Sequence, residues 1–283
     1  MRTLIQEFEK SGLAKNADLN NKIYADLFTQ LENEQKIFLE RSKSIINDKY
    51  FDKWPKDTLH WWSRLWEYPY VFYHLENAIS SLNGIDIKIM DFGCGVNFFP
   101  YVVSNLGHEV FCVDNDRLCI ESLIKYNSKY PKYRITPISN DGINIPIPDK
   151  TIDIAYSVSV FEHVPQLTLL IDEISRVLKD NGILIITFDI SLNGNYEIIK
   201  ENYNEFVKTL STKFDLSRPY IPTHPNEILT SKNSIYPYKE LKSFGKALYL
   251  IKNYLIKPFL LKKTVSLPKK LELAVEGMVL KKK

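Results

Sequence analysis

Residues 87–97 read IKIMDFGCGVN. Ile87 to Phe92 form a short run that is apolar apart from Lys88 and Asp91, and it stops against glycines at 93 and 95. An apolar run of this length, closed by a glycine-bearing turn and followed by an apolar helical stretch at 98–106, predicts a strand feeding a helix. The same unit recurs downstream. EVFCVD (109–114) precedes a helical stretch at 116–129, and YRITPI (133–138), TIDIAYSVS (151–159) and GILIITFDI (182–190) follow at helix-length separations. The runs are nearly continuous rather than alternating, which is the pattern of strands buried on both faces. They predict an α/β fold, a doubly wound and mostly parallel sheet. In such a sheet ligands bind beyond the carboxyl ends of the strands, so the strand ends carry the functional reading.

The first strand ends Asp91-Phe-Gly93-Cys-Gly95-Val-Asn97, where two glycines let a ligand approach main-chain N–H groups. The second ends in Asp114, 19 residues beyond Gly95, positioned to accept hydrogen bonds from ribose hydroxyls. The dinucleotide fingerprint fails, because its third small residue would fall on Phe98. Asp91 would repel a diphosphate but would hold an ammonium group. A ligand with adenosine at one end and an amino group at the other satisfies both carboxylates, and S-adenosylmethionine is such a ligand.

Four separated segments then resemble, in order, the motifs of class I S-adenosylmethionine-dependent methyltransferases of the type 11 kind. IMDFGCGVN (89–97) resembles the family's D/E-x-G-x-G-x-G loop, with Asn97 at the third glycine. VDND (113–116) resembles the acidic end of the second strand, NDGINIPIPDKTID (140–153) the D-x-x-x-L-P segment, and DIAYSVSVFEHV (153–164) the fourth-strand motif. The similarity covers residues 86–190. It implies a Rossmann-like sheet of seven strands, completed by an antiparallel edge strand at LELAVEGMVLKK (271–282), after a helix over 171–182 and the fifth strand. It also implies S-adenosyl-L-methionine as cofactor, held by Asp91, Gly93, Gly95, Asp114 and Asn115, by Asp141 and Gly142 at the adenine, and by Ser157 through the loop after the fourth strand.

Upstream, 18–47 repeats apolar residues at helical spacing, and a second helix is expected over 69–82. All four tryptophans (Trp54, Trp61, Trp62 and Trp66) lie in one short segment. We therefore expect an N-terminal helical and aromatic cap over 1–66, packed as a lid or lining a pocket, and a methyltransferase domain over 67–283. Arg64, embedded in this segment, is a candidate for the methionine carboxylate or an anionic substrate, with Glu67 and Tyr68 orienting it; the structural alternative is an i,i+3 ion pair of Arg64 with Glu67. His163 is the candidate general base for a hydroxyl acceptor, and His60 is the next.

Composition narrows the function classes. With 45% hydrophobic and 25% charged residues in 283, the chain can bury a core, so wholesale disorder is excluded. Cys94, Cys112 and Cys119 form no CxxC pair, which argues against a structural zinc site or a disulfide framework; no metal is expected. The first residues carry acids and lack an apolar core for a signal peptide, and no apolar run reaches membrane-spanning length, so the expected location is cytoplasmic. Nine lysines and one acid between Lys239 and Lys270 give that window +8, so against a whole-chain +3 the remainder is −5. Within it, 246–263 is a candidate contact for an anionic membrane surface or a phosphate, or a helix with solvated lysines. The expected reaction is methyl transfer to an oxygen or nitrogen of a small molecule, with a sugar or nucleotide-linked surface-polysaccharide precursor as first choice. The rivals are a nucleic-acid methyltransferase using the lysines as a phosphate footprint, an oxidoreductase disfavoured by Phe98, and a non-catalytic cofactor-binding module.

Overall fold

The computed structural model describes residues 9–46, 48–51, 55–82, 84, 86–193, 198–236 and 272–283. The lysine-rich stretch 246–263 and Trp54 lie outside the described residues. In chain order the elements are β1 (Gly12–Leu13), α1 (Lys22–Ser42), α2 (Asp48–Phe51), α3 (Arg64–Leu82), β2 (Lys88–Phe92), α4 (Phe99–Ser104), β3 (Glu109–Asp114), α5 (Arg117–Lys129) and β4 (Ile135–Ser139). There follow β5 (Ile152–Val158), α6 (Leu167–Val177), β6 (Leu178–Ser191), β7 (Ile198–Ile199), α7 (Lys200–Ser211), β8 (Phe214–Leu216) and β9 (Leu273–Lys282). Among the described residues, no helix is long and apolar enough to cross a membrane.

The strands form one sheet in the order β1-β9-β6-β5-β2-β3-β4, with β7 on β6 and β8 on β9. Strands β2 to β6 run parallel, and β9 runs antiparallel to β6. The chain winds from β2 outward to β3 and β4, then returns to the other side of β2 to lay down β5 and β6. The reversal leaves a crevice at the carboxyl ends of β2 and β5, where a doubly wound sheet binds its ligands.

Both faces of the sheet are covered, as the apolar runs require. Ile89, Ile154, Tyr156 and Ile185 point into a core shared with Tyr24 and Leu31 of α1 and Leu65 of α3. Their neighbours Met90, Ala155, Leu184 and Ile186 point into a second core with Leu170 and Ile174 of α6 and Phe206 and Leu210 of α7. This alternation is the two-residue period of a strand buried on both sides.

Several expectations shift. The helix expected from Pro69 begins at Arg64 and carries Pro69 within it. Its first turn closes through Leu65 N–H to Trp61 O (3.2 Å) and Glu67 N–H to Ser63 O (3.0 Å), neither of which needs a donor at 69. The division expected after residue 66 falls inside this helix, and Trp62 and Trp66 share one core with Ile89, Tyr156 and Val275. The helix expected to reach residue 182 stops at Val177, because Leu178 already pairs with Ile152 as the start of β6. The C-terminal strand is not the edge: β6 pairs along one side of β9, while β1 and β8 occupy the other. These two short segments cover backbone groups that a long open edge would expose.

The N-terminal segment is tied to the same strand. Ala14 N–H donates to Val275 O (2.9 Å), and buried Asp18 accepts from Trp66 Nε1 (2.9 Å) while Lys10 Nζ lies 3.7 Å from its other oxygen. Trp66 stacks on Tyr70 at 4.5 Å, and this pair lies directly over Gly277, where a β-carbon would fall 2.5 Å from Tyr70 Cε1. Gly277→Ala is therefore expected to lower the unfolding free energy by about 1–3 kcal/mol through overpacking, measured by denaturant titration. An unchanged midpoint would show that the stack yields without cost.

Candidate active site

The turn after β2 is built on absent side chains. Gly93 (φ 72°) and Gly95 (φ 55°) occupy the left-handed region. A β-carbon on Gly93 would lie 2.4 Å from Val160 Cγ2, in the loop after β5. Gly93 N–H donates to Val113 O (2.8 Å), and Gly95 N–H donates to Asp114 Oδ2 (2.9 Å). The other oxygen of Asp114 accepts from Asp116 N–H (2.8 Å), and Asp116 caps α5 by accepting from Leu118 N–H (2.8 Å). The Asp114 carboxylate is thus oriented by two main-chain donors, one on each oxygen. Asn97 takes the third glycine's place by side-chain bonding rather than by a left-handed backbone. Its Nδ2 donates to Cys94 O (2.8 Å), and its Oδ1 accepts from Phe99 N–H (2.8 Å) at the start of α4.

These strand ends open into a cavity of about 510 Å³, within the usual range for a small-molecule site. On its inner side lie Asp91, Gly93, Gly95 and Asp114, and farther along the loops lie Asn115 and Gly142. Helix α3 contributes Arg64 and Tyr68, and the turn after β5 contributes His163. Asp91 is buried and accepts a hydrogen bond from Tyr156 OH (2.9 Å); burial pushes its carboxyl up to about 8. The arrangement fits a cationic ligand group, which would return Asp91 to its charged form.

Two expected positions do not reach the cavity. Asp141 is exposed and its carboxylate closes a local turn, accepting from Ile143 N–H (2.9 Å) and Asn144 N–H (2.7 Å), so that its neighbours Asn140 and Gly142 line the cavity instead. Ser157 is fully buried and donates to Phe92 O (2.8 Å) across the β2–β5 junction, so Val158, Ser159 and Val160 take the lining positions. His60 also lies off the cavity wall, with Nδ1 2.7 Å from Asp57 and Nε2 3.2 Å from Glu32.

Other residues escaped the sequence reading. Tyr50, on α2, accepts through its hydroxyl from Val96 N–H (2.9 Å) and so fastens the cap onto the glycine turn. Ser159 stands at φ 49°, uncommon for a residue with a side chain, and donates to Glu67 Oε1 (2.7 Å). Thr187 of β6 donates to the same oxygen (2.6 Å). Positive φ at a serine and a hydroxyl within an apolar strand are weak signals that only spatial proximity makes readable. Beside His163, the Glu162 carboxyl accepts from Asp189 N–H (3.1 Å), and burial raises it to about 7 against the opposing pull of His163. The cysteines, far apart by sequence spacing, meet beneath the turn: the Cys94 and Cys119 sulfurs lie 4.0 Å apart as free, buried thiols.

Residues 90–186 match the family model described as a methyltransferase domain. The chain is similar to an uncharacterized methyltransferase of Mycobacteroides abscessus, 23% identical over 192 residues that cover 63% of this chain and 67% of the relative. It is similar to the ubiquinone biosynthesis O-methyltransferase of Pelagibacter ubique, 27% identical over 161 residues (50% of this chain, 64% of the relative). The matched segments span between 32% and 67% of the curated relatives' own lengths. In fold it resembles the crystal structure of the [4+2]-cyclase SpnF at a TM-score of 0.50 and 13% identity, covering 74% of this chain and 80% of that one.

The raised Asp91 carboxyl makes ligand binding pH-dependent. It is protonated in the free protein below about pH 8, and an ammonium partner requires the carboxylate, so binding releases a proton there. The association constant for S-adenosylhomocysteine is expected to rise by up to about tenfold per pH unit toward pH 8 and then to level. Titration calorimetry across pH, with Asp91→Asn as control, checks this; a flat profile in the unmodified protein would remove Asp91 as the ammonium site.

Proposed function

We propose that the chain, which carries a class I S-adenosylmethionine-dependent methyltransferase domain, moves a methyl group from S-adenosylmethionine to a hydroxyl oxygen or an amine nitrogen of a small molecule. A ring hydroxyl of a sugar-type acceptor is the first choice. The observation that carries the reading is the pair of carboxylates, Asp91 and Asp114, on adjacent strands at one cavity. Asp114, preset by Gly95 and Asp116 N–H, meets the ribose hydroxyls, and Asp91 meets the amino group.

When bound, the cofactor supplies a methyl group already activated on a sulfonium. The chain's task is then alignment and the exclusion of water. Tyr50, Trp61 and Tyr68 give the cavity an aromatic wall, suited to an uncharged ring. Among the described lining residues Arg64 is the one Lys or Arg side chain, and it is paired with Glu67. That pairing favours an uncharged acceptor group; a nucleotide-linked sugar would carry its diphosphate outside the described cavity. His163, on the turn that follows β5, takes the acceptor's proton. Likeness to an enzyme named as an O-methyltransferase supports oxygen as the acceptor atom.

Asp114→Ala is expected to abolish calorimetric binding of S-adenosylhomocysteine while cooperative unfolding is retained; wild-type affinity would remove the ribose assignment. With sugar acceptors and labelled S-adenosylmethionine, His163→Ala is expected to slow turnover by about 10²–10⁴-fold at unchanged cofactor affinity. Turnover equal to wild type would exclude His163 as the base.

A further inference from the structure

The first turn of α3 buries a complete carboxylate. Glu67 has no exposed side-chain surface, yet three groups from three elements converge on it. Ser159 Oγ, just beyond β5, donates to Oε1 at 2.7 Å, and Thr187 Oγ1 of β6 donates to the same oxygen at 2.6 Å. Arg64 Nη1 pairs with Oε2 and also lies 2.5 Å from Ser159 Oγ. Ser159 is itself held in its uncommon backbone conformation by its N–H, which donates to Thr187 O (2.9 Å).

Buried ion pairs are poor devices for stability, since apolar residues of like volume often do as well or better. This one sits at the crevice between β5 and α3, and its cationic member lines the cavity with 22% of its side chain exposed. A guanidinium presents five N–H groups in a rigid plane, so fixing one edge fixes where the remaining donors point. Asp91 on the same cavity supplies a carboxyl. Together the two offer opposite charges to a zwitterion, which is the chemistry of an amino-acid tail.

We infer that Glu67, with Ser159 and Thr187, is a positioning residue that aims Arg64 at the carboxylate of the cofactor's amino-acid tail. The inference rests on the cofactor reading above. It assigns the Glu67–Ser159–Thr187 cluster to recognition of the tail, and not to holding α3 against the sheet.

Two ligands separate these roles. S-adenosylhomocysteine carries the tail, whereas 5′-methylthioadenosine keeps the adenosine and the thioether without it. On the full chain, Glu67→Gln is expected to weaken S-adenosylhomocysteine by about tenfold or more, the size of one charge-assisted hydrogen bond, and to leave methylthioadenosine within about twofold. Arg64→Met is expected to give the same pattern, and the double variant to be no weaker than either single one, as for two residues acting through one contact. Equal loss for both ligands, loss for neither, or additive effects in the double variant would overturn the inference. Should Glu67→Gln lose cooperative unfolding, Thr187→Val carries the same comparison: a smaller selective loss supports the inference and an unselective or absent one overturns it. A wild-type protein that binds neither ligand would instead sink the cofactor reading itself.

Discussion

The loops leaving β2 and β5 pass too close for a side chain to stand between them. At Gly93 the space a β-carbon would need is already filled by Val160. The glycine-turn side of the site is built around that contact. The turn folds back far enough for Gly95 N–H to reach Asp114, and Asp114 in turn sets Asp116 at the start of α5. One steric constraint therefore fixes a backbone path, a carboxylate orientation and a helix origin together. The topology makes the constraint necessary, because β2 and β5 are the neighbouring strands from which the chain departs in opposite directions across the sheet.

Burial of charge is the second organising theme, and it is handled differently at each place. Asp18 keeps Trp66 Nε1 and Lys10 as partners and ties the N-terminal segment beneath β9. Glu67 is surrounded by a guanidinium and two hydroxyls. Among the described residues, Asp91 accepts one side-chain hydrogen bond, from the Tyr156 hydroxyl, and burial raises its carboxyl to about 8. A buried group left with few partners is in a state that a ligand can change, whereas a fully partnered one is not. That difference separates the carboxylate suited to receiving a ligand directly from those whose oxygens already have partners within the fold.

The aromatic segment upstream of the sheet resolves into two uses. Trp62 and Trp66 are core residues, with Trp66 stacked on Tyr70 above a glycine in β9. Trp61 and Tyr68 line the cavity. The turn at Trp61–Trp62 and the helix α3 that follows it thus both cover a face of the sheet and wall the cavity, so packing and lining fall on neighbouring residues of one segment.

What was legible in the residues alone was local or periodic. The buried strands follow from unbroken apolar runs, the glycine turn from Gly93 and Gly95, and a carboxylate at the cavity from the position of Asp114 at a strand end. These depend on backbone dihedrals and two-residue alternation, which neighbouring residues encode. Asp141 and Ser157 went astray because motif position does not say where a side chain points: one closed its own turn, and the other bonded across to Phe92. Tyr50 on the glycine turn, Thr187 on Glu67 and the meeting of Cys94 with Cys119 are contacts between residues far apart in the chain. Such pairings depend on which strands become neighbours and in what register. The tertiary structure decided them, because only packing of both sheet faces fixes those distances.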